Sequence, residues 1–359
     1  MVWPPDRHLR LISHISTPSP MPPLRIIIMS DGRPGHFNLS EGIAAAIEKL
    51  RPAATESYEV RRGRWAGGVL AAATRAKLPA RAMLQHVYGA EEAAVPPCDV
   101  IVSAGAETLA ASIWLARARG IPNIFYGSLR FFDPYDFSLV LTSYQRNADK
   151  PRHALALKPS RFDPDTAPPP PLPSQAGKRT FGLLIGGNAG GIRFSRSDWD
   201  HLVNMLRQPK TGAGPHWLVA NSRRTPDEIS DELANEAKQP GSPIGQFLDV
   251  RTAGPGTLAP LLARCDAVLC TADSSSMISE CVWSRKPTLA LAPATCTYTE
   301  DENGYRRWLE NSSWCLQIAL SEASTAKIEA TLTAVRPASG NPLTALGGLL
   351  RQRIPGLLG

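Results

Sequence analysis

No run of eighteen consecutive apolar residues occurs in this chain, so no segment reads as a membrane-spanning helix. Cysteine is scarce. Cys98, Cys265, Cys270, Cys281, Cys296 and Cys315 show no C-x-x-C pair and no finger spacing, which argues against a structural zinc site. Most lie in apolar runs such as Ala267-Val268-Leu269-Cys270 and read as small buried hydrophobes of a reducing compartment. Neither G-x-G-x-x-G nor a Gly-Lys-Ser/Thr P-loop is present, which disfavours a dinucleotide or an ATP γ-phosphate. Acid is missing from Val60 to Ala90, while Arg61, Arg62, Arg64, Arg75, Lys77 and Arg81 all fall there. Trp65, Leu70, Leu78, Met83 and Leu84 are interleaved with them. Such a segment reads either as a membrane-surface patch, carried by Arg61, Arg62, Arg64, Trp65, Lys77 and Arg81, or as a solvated helix face.

The 359 residues suggest two domains, and a hydrophobic share of 43% supports large cores. The net charge of +7 suits an anionic partner such as a nucleotide or a phospholipid surface. Nucleic acid is not expected, since no recognition motif accompanies the charge. Residues 1–23 are rich in proline and histidine without the apolar core of a signal peptide. They read as a disordered extension, or as sequence before a later start at Met21.

Short apolar strands alternate with helical patterns from Leu24 onward, the signature of a parallel sheet covered on both faces. Strands are expected at Leu24 to Met29, Ser57 to Val60, Asp99 to Ser103, Pro122 to Tyr126 and Ser138 to Leu141. Helices are expected at Asn38 to Leu50, across the basic segment, and at Ala106 to Arg119. The run Ala-Pro-Pro-Pro-Pro-Leu-Pro over residues 167–173 then marks a stiff linker. The alternation resumes with strands at Thr180 to Ile185, His216 to Ala220, Phe247 to Val250, Ala267 to Cys270 and Pro287 to Leu291. Helices are expected at Arg196 to Arg207, Pro226 to Ala237, Ser274 to Trp283 and Glu300 to Glu310. The expected architecture is α/β: two doubly wound, Rossmann-like domains facing across a cleft. The domains would span 24–160 and 179–335, with a linker at 161–178 and a tail with a crossing helix at 336–359. Ligands in open α/β sheets bind at the C-terminal strand edges.

Four turns at those edges carry chemistry. Ser30-Asp31-Gly32-Arg33-Pro34-Gly35-His36 joins the first strand to a helix and holds an acid, an arginine and a histidine. Gly186-Gly187-Asn188-Ala189-Gly190-Gly191 follows the first strand of the second half, where glycines let backbone N–H groups approach a phosphate. Ser222-Arg223-Arg224-Thr225-Pro226 opens a helix, with Thr225 expected as its N-cap and two arginines able to neutralise a diphosphate. Asp273-Ser274-Ser275-Ser276-Met277 opens another, with cap hydroxyls and free N–H groups for an anion. Glu280, one and a half turns further, is placed to accept both hydroxyls of a ribose.

The Asp31–His36, Ser222–Pro226 and Asp273–Glu280 segments, in this order, resemble the mitochondrial-fission Elm family over roughly Leu24 to Ala334. Its bacterial members carry a glycosyltransferase assignment. The layout is more distantly similar to GT-B enzymes such as the MurG-like glycosyltransferase of a polyprenyl lipid. The resemblance implies that Gly35, His36 and Gly105 line the acceptor side, with Gly32, Arg33 and Asn38 beside them. It also implies that Glu280 contacts the ribose and that Gly187 and Arg223 lie near the diphosphate. Phe37 and Leu39 depart from the polar residues usual after the histidine, and Asp31 has no MurG-like counterpart.

The expected activity is therefore metal-independent glycosyl transfer from a nucleotide sugar, a UDP-sugar, with no cofactor. No D-x-D pair reads here as the metal signature of GT-A enzymes. Helix N-termini and Arg223 or Arg224 would offset the leaving charge. His36 is the expected base, oriented by Asp31. The acceptor would be lipid-linked or of lipopolysaccharide type, reached from the cytoplasmic face of the membrane. A non-catalytic scaffold of the fission type and a nucleotide-sugar epimerase are the alternatives.

Overall fold

The computed structural model describes residues 22–166, 179–207, 214–254 and 256–358. Most of the extension at residues 1–23 and of the linker at 161–178 lies outside them.

The first half builds β1 (Leu24–Ser30), α1 (Pro34–Glu48), β2 (Ala53–Glu59), α2 (Gly67–Arg75), α3 (Ala80–Tyr88), β3 (Val100–Ala104) and α4 (Leu109–Arg119). β4 (Asn123–Tyr126), β5 (Leu139–Thr142) and β6 (His153–Leu155) complete it. The six strands form one parallel sheet in the order β2-β1-β3-β4-β5-β6. Ile26, Ile27, Ile28 and Met29 of β1 are each 1% exposed, because helices cover both faces of a parallel sheet. Full burial of such a side chain stabilises by about 1.5–3 kcal/mol.

The second half builds β7 (Thr180–Leu184), β8 (Gly191–Arg193), α5 (Arg196–Arg207), β9 (His216–Ala220), α6 (Asp227–Ala237), β10 (Ile244–Leu248) and α7 (Leu258–Ala263). It continues with β11 (Ala267–Thr271), α8 (Ser275–Trp283), β12 (Thr288–Ala292), β13 (Thr295–Thr297), α9 (Glu300–Asn311), β14 (Cys315–Ala319) and α10 (Thr325–Leu332). Its main sheet is again parallel and six-stranded, in the order β10-β9-β7-β11-β12-β14. The expected pair of doubly wound domains is thus present.

α11 (Pro342–Arg353) and α12 (Pro355–Leu358) return to the first domain, where Leu343, Leu346, Leu350 and Leu357 join the core beside Ile43 and Ile47 of α1. Asn341 caps α11 by accepting from the amides of Leu343 and Thr344. Its amide nitrogen donates to Asp163 and Asp165, which also take Lys49 and Arg285 at 2.7 and 2.8 Å. These two carboxylates do stand at D-x-D spacing, as do Asp198 and Asp200. The first pair anchors the connector. Asp198 accepts from Ser195 and Ala294, and Asp200 pairs with Arg196.

Three local expectations are corrected. α1 starts at Pro34 rather than Asn38, because Pro34 at its first position is already set at a helical φ; His36 therefore sits in the first turn. The basic segment is two helices, broken where Lys77 takes φ +52° just before Leu78-Pro79. Thr225 does not cap α6. Pro226 holds the cap position, and the Thr225 hydroxyl is bonded to the neighbouring strand instead.

Candidate functional site

Two clusters stand at the C-terminal edges of the two sheets. In the first, Asp31 leaves β1 with its carboxylate fully buried and meets His36 Nδ1 at 2.8 Å. The ring is about a third exposed, so one face of the pair is fixed and the other is open. The amide of Arg33 donates to the second Asp31 oxygen, and the Arg33 guanidinium reaches Glu107 at 3.4 Å. Gly105, leaving β3 with φ +95°, lies directly against the pair. A Cβ there would stand 2.3 Å from His36 Nδ1 and 2.7 Å from Asp31 Oδ2. Only glycine combines that backbone with that approach. Gly32 turns with φ +74° beside Glu59, while Gly35 and Asn38 lie exposed on α1.

In the second domain the three expected turns converge. The Gly186 amide donates to Thr271 Oγ1 at 2.7 Å, and Thr271 donates to Asp273 at 2.6 Å. Thr225 Oγ1 donates to the Ile185 and Gly186 carbonyls, tying the arginine turn to the glycine turn. A Cβ on Gly186 would fall 2.1 Å from Asp273, and one on Gly187 would fall 2.0 Å from the Arg224 carbonyl. Arg224 pairs with the buried Asp273 carboxylate at 2.6 Å, so its charge is already partly committed. Arg223 is exposed and has no carboxylate partner among the described residues. The Ser222 hydroxyl accepts from the Arg224 amide. Asn188 accepts from the Phe194 amide and closes the β8 turn.

Ser274 caps α8 by accepting from the Met277 amide. Ser275 is not free: its hydroxyl bonds Lys158 of the first domain and donates to Glu302 at 3.2 Å. Ser276 is exposed. Glu280 lines a cavity of about 800 Å³ whose walls also include Asn38 and Glu41 of α1, Arg161, Leu258 and Lys286. Its carboxylate has no hydrogen-bond or ion-pair partner among the described residues, and burial alone pushes its pKa up from 4.5 to about 7. An unpartnered acid in the wall of a large cleft is a candidate ligand contact.

Sequence reasoning missed Lys158, Tyr144 and Glu302, which meet where the domains touch. Lys158 Nζ lies 3.2 Å from Glu302, and Tyr144 donates to the same carboxylate at 3.0 Å. The sole sequence signal was a lysine ending the apolar run Ala154-Leu155-Ala156-Leu157 just before Pro159.

The basic residues spread over one flank of the first domain. Arg61, Arg64, Lys77 and Arg81 are exposed, Arg62 is half-buried, and Trp65 packs at a tilt on His86. Arg61 pairs with Glu59 and Arg81 with Glu92. No helix among the described residues is long and apolar enough to cross a membrane.

Two doubly wound domains, each on a parallel six-stranded sheet, with a cavity between α1 of one and α8 of the other, have the layout of the GT-B fold. MurG of Acinetobacter baumannii has the same fold, with a TM-score of 0.50 and 13% identity over 92% of this chain and 100% of that one. Residues 151–302 match the family model described as mitochondrial fission ELM1. The match takes in the Gly186, Ser222 and Asp273 turns and stops short of the Asp31–His36 turn, a narrower span than the motifs suggest. ADP-heptose LPS heptosyltransferase II of E. coli gives a TM-score of 0.42 at 14% identity, covering 93% of this chain and 98% of that one. UDP-GlcNAc 2-epimerase of Methanocaldococcus jannaschii gives 0.45 at 11%, covering 93% and 99%. At these identities the likeness is one of fold. No curated protein matches the chain in sequence.

Proposed function

We propose that this protein is a glycosyltransferase that moves a sugar from a nucleotide-sugar donor to an acceptor at a membrane or cell envelope without a catalytic metal. The observation that carries the reading is the cleft of about 800 Å³, with α1 of the first domain on one wall and the unpartnered Glu280 of α8 on the other. The donor would lie on the second domain, its ribose hydroxyls donating to Glu280. Its diphosphate would face the Gly186-Gly187 turn, Arg223 and the first turn of α8, where unpaired N–H groups and the helix dipole favour an anion. His36 would take the acceptor hydroxyl proton through the ring nitrogen that Asp31 does not hold, and Asp31 would stabilise the imidazolium. A UDP-sugar is the donor expected.

A lipid-linked or lipopolysaccharide-type acceptor gives the basic flank a role. Trp65, Val69, Leu78 and Phe131 are exposed beside Arg64, Arg75 and Lys77, and Arg75 holds the Phe131 loop through its carbonyl at 3.3 Å. Apolar side chains among basic ones suit peripheral binding to an anionic leaflet, at about 1 kcal/mol per basic residue near the surface. A non-catalytic scaffold on the same fold is the second reading, favoured by the internal partners of Arg224 and Ser275.

The test is thermal unfolding against a panel of nucleoside diphosphates and nucleotide sugars, with Glu280→Ala in parallel. A ligand at about 100 times its Kd stabilises by about 2.7 kcal/mol. A rise in Tm with one nucleotide that is lost in Glu280→Ala supports the donor site. Flat melting curves throughout favour the scaffold.

A further inference from the structure

A nearly buried lysine stands at the seam between the two domains. Lys158 follows β6 of the first domain and is 8% exposed, yet its ammonium points into the second domain. There it bonds the hydroxyl of Ser275, the first residue of α8, and Glu302 in the first turn of α9. The rings of Tyr305 and Tyr144 flank it at 5.1 and 5.7 Å. Ser275 in turn donates to Glu302 at 3.2 Å. The cluster closes on itself, with one positive charge, one negative charge and two hydroxyls all satisfied. Through Ser275 it touches the first turn of α8.

That turn is the one assigned above to the diphosphate, and the inference rests on that assignment. The second domain supplies Arg223 there, while Arg224 is held by Asp273 at 2.6 Å. A group on the opposite domain can hold this turn only when the two domains are closed.

We propose that Lys158 is a positioning residue for the donor diphosphate, acting across the domain seam through Ser275. Its ammonium, offset by Glu302, fixes the Ser275 hydroxyl and so holds the first turn of α8 in place. The turn is thereby fully competent for a diphosphate only while the first domain is seated on it. Donor binding and domain closure become one event, and an acceptor brought by the first domain meets a donor already held.

The experiment compares UDP with uridine, because a merely structural seam affects both alike whereas a contact that holds the diphosphate turn affects one. Affinities are measured by calorimetry for the wild type, Ser275→Ala, Lys158→Arg and the double variant Lys158→Met/Glu302→Gln, which leaves no buried charge unpaired. Loss of a charge-assisted contact predicts roughly a tenfold weaker UDP affinity in the double variant. Uridine affinity should be unchanged, Ser275→Ala should weaken UDP in the same sense, and Lys158→Arg should retain most of it. Equal weakening for UDP and uridine, or no weakening of UDP, overturns the role of Lys158 while leaving the donor site standing. If the double variant does not fold, Ser275→Ala and Lys158→Arg decide in the same way. A wild type that binds neither UDP nor uridine overturns the donor reading, and this inference with it.

Discussion

Replacing Glu280 by glutamine should make the protein more stable at neutral and alkaline pH. The carboxylate has no partner among the described residues, and burial raises its pKa from the ordinary 4.5 to about 7. The folded protein therefore holds a proton between those values that the unfolded chain has released. Stability is full below about pH 4.5, falls as pH rises through the window, and stays reduced above about 7. At about 1.4 kcal/mol per pKa unit, the gap corresponds to on the order of 3 kcal/mol. The depressed carboxylates Asp99, Asp163, Asp198 and Asp249 lose their contributions only as pH falls below their ordinary 3.8, outside this window. His153, lowered from 6.5 by burial, is common to both proteins and cancels in the difference. Tm measured from pH 4.5 to 8.5 should coincide for the two proteins at the acid end. The Glu280→Gln variant should melt several degrees higher at pH 8. Nucleotide affinity of the wild type should move the other way, strengthening as pH rises through about 7, because ribose hydroxyls donate to the ionised form. Curves for wild type and variant that run parallel across the range would refute this account of Glu280.

Three further outcomes are expected. His36→Ala should keep nucleotide affinity within about twofold and lose at least 10²-fold in transfer, as expected for a general base; full transfer would remove the assignment. Gly105→Ala should drive the Asp31–His36 pair apart, since the new methyl would overlap both side chains; it should lower transfer and stability together, by about 1–3 kcal/mol in the latter, measured by urea unfolding. Replacing Arg64, Arg75 and Lys77 with glutamine should reduce sedimentation with anionic liposomes at low salt by about 3 kcal/mol of binding free energy; a wild type that ignores such liposomes would discard the membrane-facing role.

The fold was legible because the central strands of both parallel sheets are buried and read as short apolar runs closed by a turn signal. His216–Ala220 and Arg196–Arg207 fall as read, since Trp217, Leu218 and Val219 alternate with nothing polar and α5 has one clear apolar stripe. β6, β14 and the small β8–β13 ribbon were missed, because three-residue strands and an edge strand with exposed Gln317 lack that pattern. Motifs at the strand edges were legible as residue types, whereas their partnerships were not. Thr225 looks like a helix cap until the turn after β7 is folded beside it and offers the Ile185 and Gly186 carbonyls. Arg224 looks free until Asp273, 49 residues away, is brought to it. Glu302 stands three residues after Thr299, as a capping-box acid would, and Thr299 does accept from its amide. Its carboxylate goes instead to Lys158, 144 residues away, a contact that exists only once the two domains meet.

The most direct test of the central claim is a crystal structure of the protein grown with UDP. The account is upheld if the ribose hydroxyls lie on Glu280 and the diphosphate lies between the Gly186-Gly187 turn and the first turn of α8. It is contradicted if UDP at a concentration well above its Kd in solution leaves that edge of the second sheet empty, or binds away from Glu280.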